Sequence, residues 1–221
     1  MPPVILLPVK DFEKAKHRMA RFLASEERSQ LAWAMFQDVA KALQPICPAS
    51  RIAIVTDSTR AAAAARQLNW RIFWESEQIS ESASVDRFSH LLALEGTEAV
   101  LRLPADIPLV QPEDLQALLN QPIENRSAVL VPSRDFLGTN ALLRMPPNLF
   151  PSRFGHDSLV LHTHEALRVQ ASVRIVENAR IALDLDTPSD ILWFMKAESE
   201  TESYRLLRDL RIEERLMQHA T

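Results

Sequence analysis

Residues 99–115 read AVLRLPADIPLVQPEDL. The opening AVLRL is a short apolar run of the kind a buried strand shows. Asp106 follows at its end, two residues before Pro108, and 107–110 are apolar again. A helix then begins, capped near Gln111 or Pro112. Strand, carboxylate-bearing loop and helix make one βα unit. Its charge sits at the mouth of the core.

The same alternation runs outward in both directions. VILLPV (4–9), RIAIVT (51–56) and RIFWE (71–75) precede this unit, and AVLVPS (128–133), ALLRM (141–145) and VRIV (173–176) follow it. Between them lie helical stretches. Ser25 offers an N-cap to the first, whose Leu31, Met35, Val39 and Leu43 recur every four residues as one apolar face. An Ala-rich helix is expected over 58–68, with others over 85–94 and 157–167. Strands that are continuously apolar and joined by helices predict an α/β fold, a mostly parallel central sheet with helices on both faces. One domain over residues 1–221 accounts for the pattern, with a charged helical tail from about 196. In that tail Leu206, Leu207, Leu210 and Leu216 form a stripe that docks on the chain's own core or on a second copy, as a homodimer.

Composition narrows the function classes. A net charge of −4 over 221 residues argues against a nucleic-acid partner, which calls for a strongly basic face. The single cysteine, Cys47, leaves no internal disulfide and suits a reducing, cytoplasmic setting. The run 4–9 is too short to cross a membrane.

Ligands of open parallel sheets bind beyond the carboxyl ends of the strands. The residues leaving those ends are Lys10, Lys14, Lys16 and Arg18, then Asp57, Asp106, Arg134 and Asp135, and finally Asp184 and Asp186. Basic groups beside carboxylates on one rim suit a phosphorylated ligand held with a divalent metal, since Mg2+ takes few carboxylates and leaves room for phosphate. On spacing alone Asp106 reads equally as a metal ligand and as a turn residue, and Asp57 reads as the cap of the Ala-rich helix. Of three glycines, two fall in SRDFLGTNALL and RFGHDSLVLH, beside Thr139, Arg153 and Ser158. Gly155 just ahead of a helix suits an anion site of backbone N–H groups, with Arg153 as a further anion contact.

These segments resemble a family. PVKDFEKAKHRM, LPADIPLVQPEDL, SRDFLGTNALL, RFGHDSLVLH and LDLDTPSDI are similar, in this order, to segments of the 2-phospho-L-lactate guanylyltransferase family, which serves deazaflavin coenzyme biosynthesis. The resemblance implies a nucleotide-diphospho-sugar-transferase-like fold and a transfer of GMP from GTP. The acceptor would be a phosphorylated three-carbon acid such as 2-phospho-L-lactate, phosphoenolpyruvate or 3-phosphoglycerate, and pyrophosphate would leave. It also implies that Asp106 holds Mg2+ with Asp184 or Asp186 as second carboxylate, and that Lys10 contacts phosphate or substrate. Lys16 and Arg18 would assist, and Thr139, Gly155 and Ser158 would hold the acceptor.

One segment departs from the family. Where members carry a Gly- or Pro-containing stretch ending in L-N-x-A near the base, this chain has SEQISESASVDRFSHLL. A carboxylate accepts both N1–H and the 2-amino group of guanine, so Asp86, or Glu81 if the loop folds differently, is a candidate to read the base; the other reading makes Asp86 a cap or solvated residue of the following helix. Two other readings compete: a same-fold transferase making a sugar or molybdopterin nucleotide, and a degenerate binding protein without turnover.

Overall fold

A computed structural model describes residues 3–76, 79–122 and 125–218. The apolar runs form one seven-stranded sheet: β1 (Val4–Val9), β2 (Ile52–Thr56), β3 (Arg71–Trp74), β4 (Val100–Arg102), β5 (Ser127–Pro132), β6 (Thr139–Met145) and β7 (Ser172–Ile175). Their order is β3-β2-β1-β4-β6-β5-β7. All neighbours are parallel except those of β6, which runs antiparallel to both β4 and β5. That reversal puts the amino end of β6 beside the carboxyl ends of the others.

Alternate residues of each strand serve opposite faces, as a strand's period of two requires. Ile5, Leu7, Ile54, Leu101, Val129 and Leu143 join one large core. Over this face lie helices α1 (Ser25–Leu43), α2 (Thr59–Gln67), α4 (Pro112–Leu119), α6 (Pro188–Met195), α7 (Glu202–Asp209) and α8 (Ile212–Gln218). The opposite face is covered by α3 (Glu81–Leu94), which meets Leu6, Val55 and Val100, and by α5 (Ser158–Arg168), which meets Leu130 and Leu142.

Local expectations shift in instructive places. Helix α1 starts with Ser25 inside it, and the Ala24 N–H is met instead by the Glu27 carboxylate at 2.8 Å. Ser58, not Asp57, caps α2, accepting from Ala61 N–H; Asp57 instead accepts from Asp11 N–H at 2.9 Å and ties down the loop after β1. Helix α3 begins at Glu81, one turn before the apolar period suggests, because Ser80 caps it through Ala83 N–H. The tail from about 196 holds two short helices, α7 and α8, rather than one continuous helix. Its leucines dock on the chain's own core: Leu207 and Leu216 are buried there, and Leu206 and Leu210 pack against it.

Asp38 on α1 fixes that docking. Its carboxylate accepts from the N–H groups of Glu202 and Ser203 and from the Ser203 hydroxyl, capping α7 from a helix far away in sequence. Asp38→Ala strands two first-turn N–H groups, so we expect a loss of about 1–3 kcal/mol in unfolding free energy. A denaturant titration checks this, and an unchanged midpoint contradicts the clamp.

Candidate functional site

The loops at the carboxyl end of the sheet are pinned to one another by backbone bonds. Leu185 N–H donates to the Asp106 carbonyl at 3.1 Å, and Arg134 N–H to the Ala182 carbonyl at 2.9 Å. Asn140, at the start of β6, donates through its amide to the Ile181 carbonyl and to Asp184 Oδ1. The segment carrying Asp184 and Asp186 is thereby strapped against the Asp106 loop.

Carboxylate oxygens of Asp106, Asp184 and Asp186 come within 4.8 Å of one another. Lys16 Nζ lies between two of them, 2.7 Å from Asp106 Oδ2 and 2.6 Å from Asp186 Oδ1. Burial alone would lower the Lys16 pKa, but the charges of Asp106 and Asp186 outweigh it and hold the ammonium charged. The charge of Lys16 in turn holds Asp186 below the usual carboxylate range against its burial. Asp184 is pushed up, by burial first and then by the charges of Asp106 and Asp186. Three hard oxygen donors whose mutual repulsion Lys16 and the Asn140 amide only partly offset suit a small divalent cation, so these residues fit Mg2+. Lys16 reaches the cluster from a left-handed backbone conformation (φ 56°), uncommon for a side chain with a Cβ and typical of functional sites.

Two cavities meet at this cluster. One is walled by Arg18, Arg134, Thr139, Gly155, Ser158 and Asp184 among others; the second by the β1 loop, including Lys10, Lys14 and Lys16. Glu81, Arg102, Pro104, Asp106 and Asp186 belong to both walls. Nine of the expected residues and the loops that carry them are thus gathered around one centre: Lys10, Lys16, Arg18, Asp106, Thr139, Gly155, Ser158, Asp184 and Asp186.

The first cavity's polar floor follows from one bond. Arg153 N–H donates to His162 Nε2 at 2.7 Å, so that nitrogen carries the lone pair and the proton of the neutral ring is on Nδ1. Nδ1 is 3.0 Å from Thr139 Oγ1, which therefore accepts and keeps its own proton to donate. Thr139 N–H donates to Ser158 Oγ at 2.8 Å, leaving the Ser158 proton free in the same way. Two hydroxyl donors, both on nearly buried residues (5% and 2% exposed), suit an anion rather than a cation. Gly155 has φ +130°, a region closed to most side chains. A Cβ at Gly138 would lie 2.9 Å from Ser133 Oγ, which accepts from Gly138 N–H and shapes the β5–β6 loop.

Two expectations are corrected. Asp86 is not free to read guanine: its oxygens accept from Ser152 N–H at 3.0 and 2.8 Å, from Ser152 Oγ at 2.6 Å and from Arg144 at 3.1 Å. Glu81 does reach the site, but its carboxylate is engaged by Arg102. Arg153 contributes its backbone rather than an anion contact, since its guanidinium is held by Glu165 at 2.7 and 2.9 Å. Sequence reasoning missed Arg102, Asn140 and His162 as site residues. For Arg102 the signal was a charged residue within an otherwise apolar strand.

Residues 3–220 match the family model described as "Guanylyl transferase CofC like". A phosphoenolpyruvate guanylyltransferase of Conexibacter woesei is 36% identical over 193 residues, 86% of each chain. A 2-phospho-L-lactate guanylyltransferase of Methanosphaera stadtmanae is 26% identical over 212 residues, 95% of this chain and 90% of that one. A solved structure of a putative nucleotide-diphospho-sugar transferase from Desulfovibrio desulfuricans G20 superposes with a TM-score of 0.77 at 18% identity, over 98% and 97% of the two chains, and establishes the fold.

His162 supplies a test of the hydroxyl floor. Burial, then the charges of Arg144, Arg102 and Arg153, lower its pKa from 6.5 to about 3. The unfolded chain therefore takes up this proton first on acidification. The stability tied to a neutral His162 is complete above about pH 6.5 and is lost as pH falls toward about 3. We expect His162→Gln to flatten the acid loss of unfolding free energy by up to about 1.4 kcal/mol per pH unit in that window. Denaturant titrations at several pH values measure both slopes, and parallel slopes contradict the neutral assignment.

Proposed function

The chain belongs to the CofC-like guanylyl transferase family and is a nucleotidyltransferase, and on that premise we propose that it joins GMP from GTP to a phosphorylated three-carbon acid. The observation that carries this reading is the pair of cavities sharing a wall at Asp106 and Asp186. A transfer between two anions needs two pockets and one point of contact between them. The β1-loop cavity, with Lys10 and Lys16, receives the triphosphate; the other, with Thr139, Gly155 and Ser158, receives the acceptor.

An oxygen of the acceptor's phosphate attacks the α-phosphorus of GTP. The bond from that phosphorus to the bridging oxygen breaks, and pyrophosphate leaves. Lys10, Lys16 and Arg18 offset the charge that accumulates on the phosphoryl oxygens. Asp106, Asp184 and Asp186 would hold Mg2+, which supplies further charge neutralisation at phosphate. Thr139 and Ser158 orient the acceptor through their hydroxyl protons. Because the relative at 36% identity is named for phosphoenolpyruvate, we place that acid first, ahead of 2-phospho-L-lactate and 3-phosphoglycerate. The product would enter deazaflavin coenzyme biosynthesis in the cytoplasm, a setting that a single cysteine supports.

Release of pyrophosphate from GTP with each of the three acids, with the nucleotidyl product identified by mass, tests the reaction. We expect turnover with one acid and Mg2+ present. We expect Asp106→Asn to keep the thermal midpoint while lowering turnover by about a hundredfold or more. Ser158→Ala should raise the acceptor KM more than the GTP KM. No turnover with any acid, or Asp106→Asn as active as the parent, overturns the proposal.

A further inference from the structure

Arg102 stands at the junction of the two cavities and has a donor to spare. It ends β4, and its residue is 7% exposed. Nη1 donates to the Asn140 carbonyl at 2.6 Å, Nη2 is paired with Glu81, and the guanidinium lies 4.3 Å from the centroid of the Phe154 ring. Its Nε is buried without a partner; among the described residues only Arg28 Nε shares that condition. A guanidinium is a planar fork whose neighbouring N–H groups suit two oxygens of one anion. Here one prong is taken by a carboxylate and the adjacent one is left over.

Glu81 makes a poor permanent partner. It is the first residue of α3, its side chain is 26% exposed, and it stands in the wall of both cavities. Asn140 and Phe154, by contrast, hold the guanidinium from the acceptor side. Asn140 adjoins Thr139, and Phe154 adjoins Gly155. The arginine is thus anchored at one nitrogen and free to exchange the carboxylate at the other.

We propose that Arg102 is a further acceptor-binding residue, and that Glu81 occupies its fork until an anionic group of the phosphorylated acid replaces it. The acid's phosphate or carboxylate takes Nη2 and Nε together, and Glu81 swings toward solvent. The exchange completes the donor set of a buried guanidinium and places a positive charge between two anionic substrates. This rests on the acceptor site assigned above, but its test does not require turnover.

The test is the affinity of phosphoenolpyruvate, measured by calorimetry with Mg2+ and a non-hydrolysable GTP analogue, for the parent, Arg102→Lys and Glu81→Gln. Arg102→Lys keeps the charge and loses the fork, so its Kd should rise about ten- to hundredfold, with the affinity for the analogue changing less than about threefold. Glu81→Gln removes the competing charge, so its Kd should fall by about two- to tenfold. Opposite signs are the signature, because a merely structural ion pair weakens the site whichever partner is removed. If both variants bind the acid less tightly, or Arg102→Lys binds it unchanged, the proposal is wrong. Should Arg102→Lys fail to fold, the sign for Glu81→Gln decides alone. Parent protein that releases no pyrophosphate yet shows these opposite shifts would sink the transfer reaction and keep the contact. Turnover without the shifts does the reverse.

Discussion

Three carboxylates forced within 4.8 Å of one another are the constraint around which the functional end of this molecule is arranged. Left to themselves they repel, and a folded chain tolerates that only where a cation stands by. Lys16 supplies one charge, through two short bonds to Asp106 and Asp186. Asp184 receives the Asn140 amide and a weaker share of the Lys16 charge, and burial and its two acidic neighbours still push it above its ordinary range. The cluster is thus a deliberate electrostatic deficit, set where the two cavities touch.

The fold makes that deficit possible through a single departure from parallel order. Were β6 parallel to its neighbours, Thr139 and Asn140 would lie at the far end of the sheet from Asp106. Running antiparallel, β6 delivers both to the carboxyl end, and Asn140 then fastens the Asp184 segment in place. The cost of holding like charges together is carried by backbone bonds such as Leu185 N–H to the Asp106 carbonyl, and by the large core beneath.

Much of this was legible in the chain because buried strands announce themselves as apolar runs and because loop residues at strand ends have few other duties. Asp106, Asp184 and Asp186 follow from the parallel-sheet rule, whereas Thr139, Gly155 and Ser158 were read from the placement of two glycines and from the family resemblance, and Thr139 joins the others only because β6 runs antiparallel. The α3 region was misread for a physical reason. ESAS is polar and carries no 3.6-residue period, so the helix start depended on Ser80 accepting from Ala83 N–H, which hydrophobic spacing does not register. Helix α3 presents Asp86 to Ser152 and Arg144, and its added first turn holds Glu81 at the cavities. Arg153 was misread for another: its companion Glu165 lies one helix away, within α5, and a pairing of that kind is a matter of tertiary geometry.

Two strand arginines make the last comparison. Arg102 on β4 and Arg144 on β6 are both buried, and each meets an acid of α3, Glu81 and Asp86 respectively. Arg144 also gives Nη1 to the Phe150 carbonyl and Nη2 to Ser89 Oγ, and its acid is held in turn by two groups of Ser152. Such a closed network braces the sheet against α3 and has nothing to offer a ligand. The Arg102 pair is open on both sides, since the guanidinium keeps an unpartnered Nε and Glu81 stands in the wall of two cavities. The same two residue types, strand arginine and helix acid, therefore serve different ends according to how many of their bonds the fold has already fixed. A buried cation whose bonds are all fixed is structure; one with a bond still to make, in the wall of two cavities, is what the proposed acceptor contact draws on.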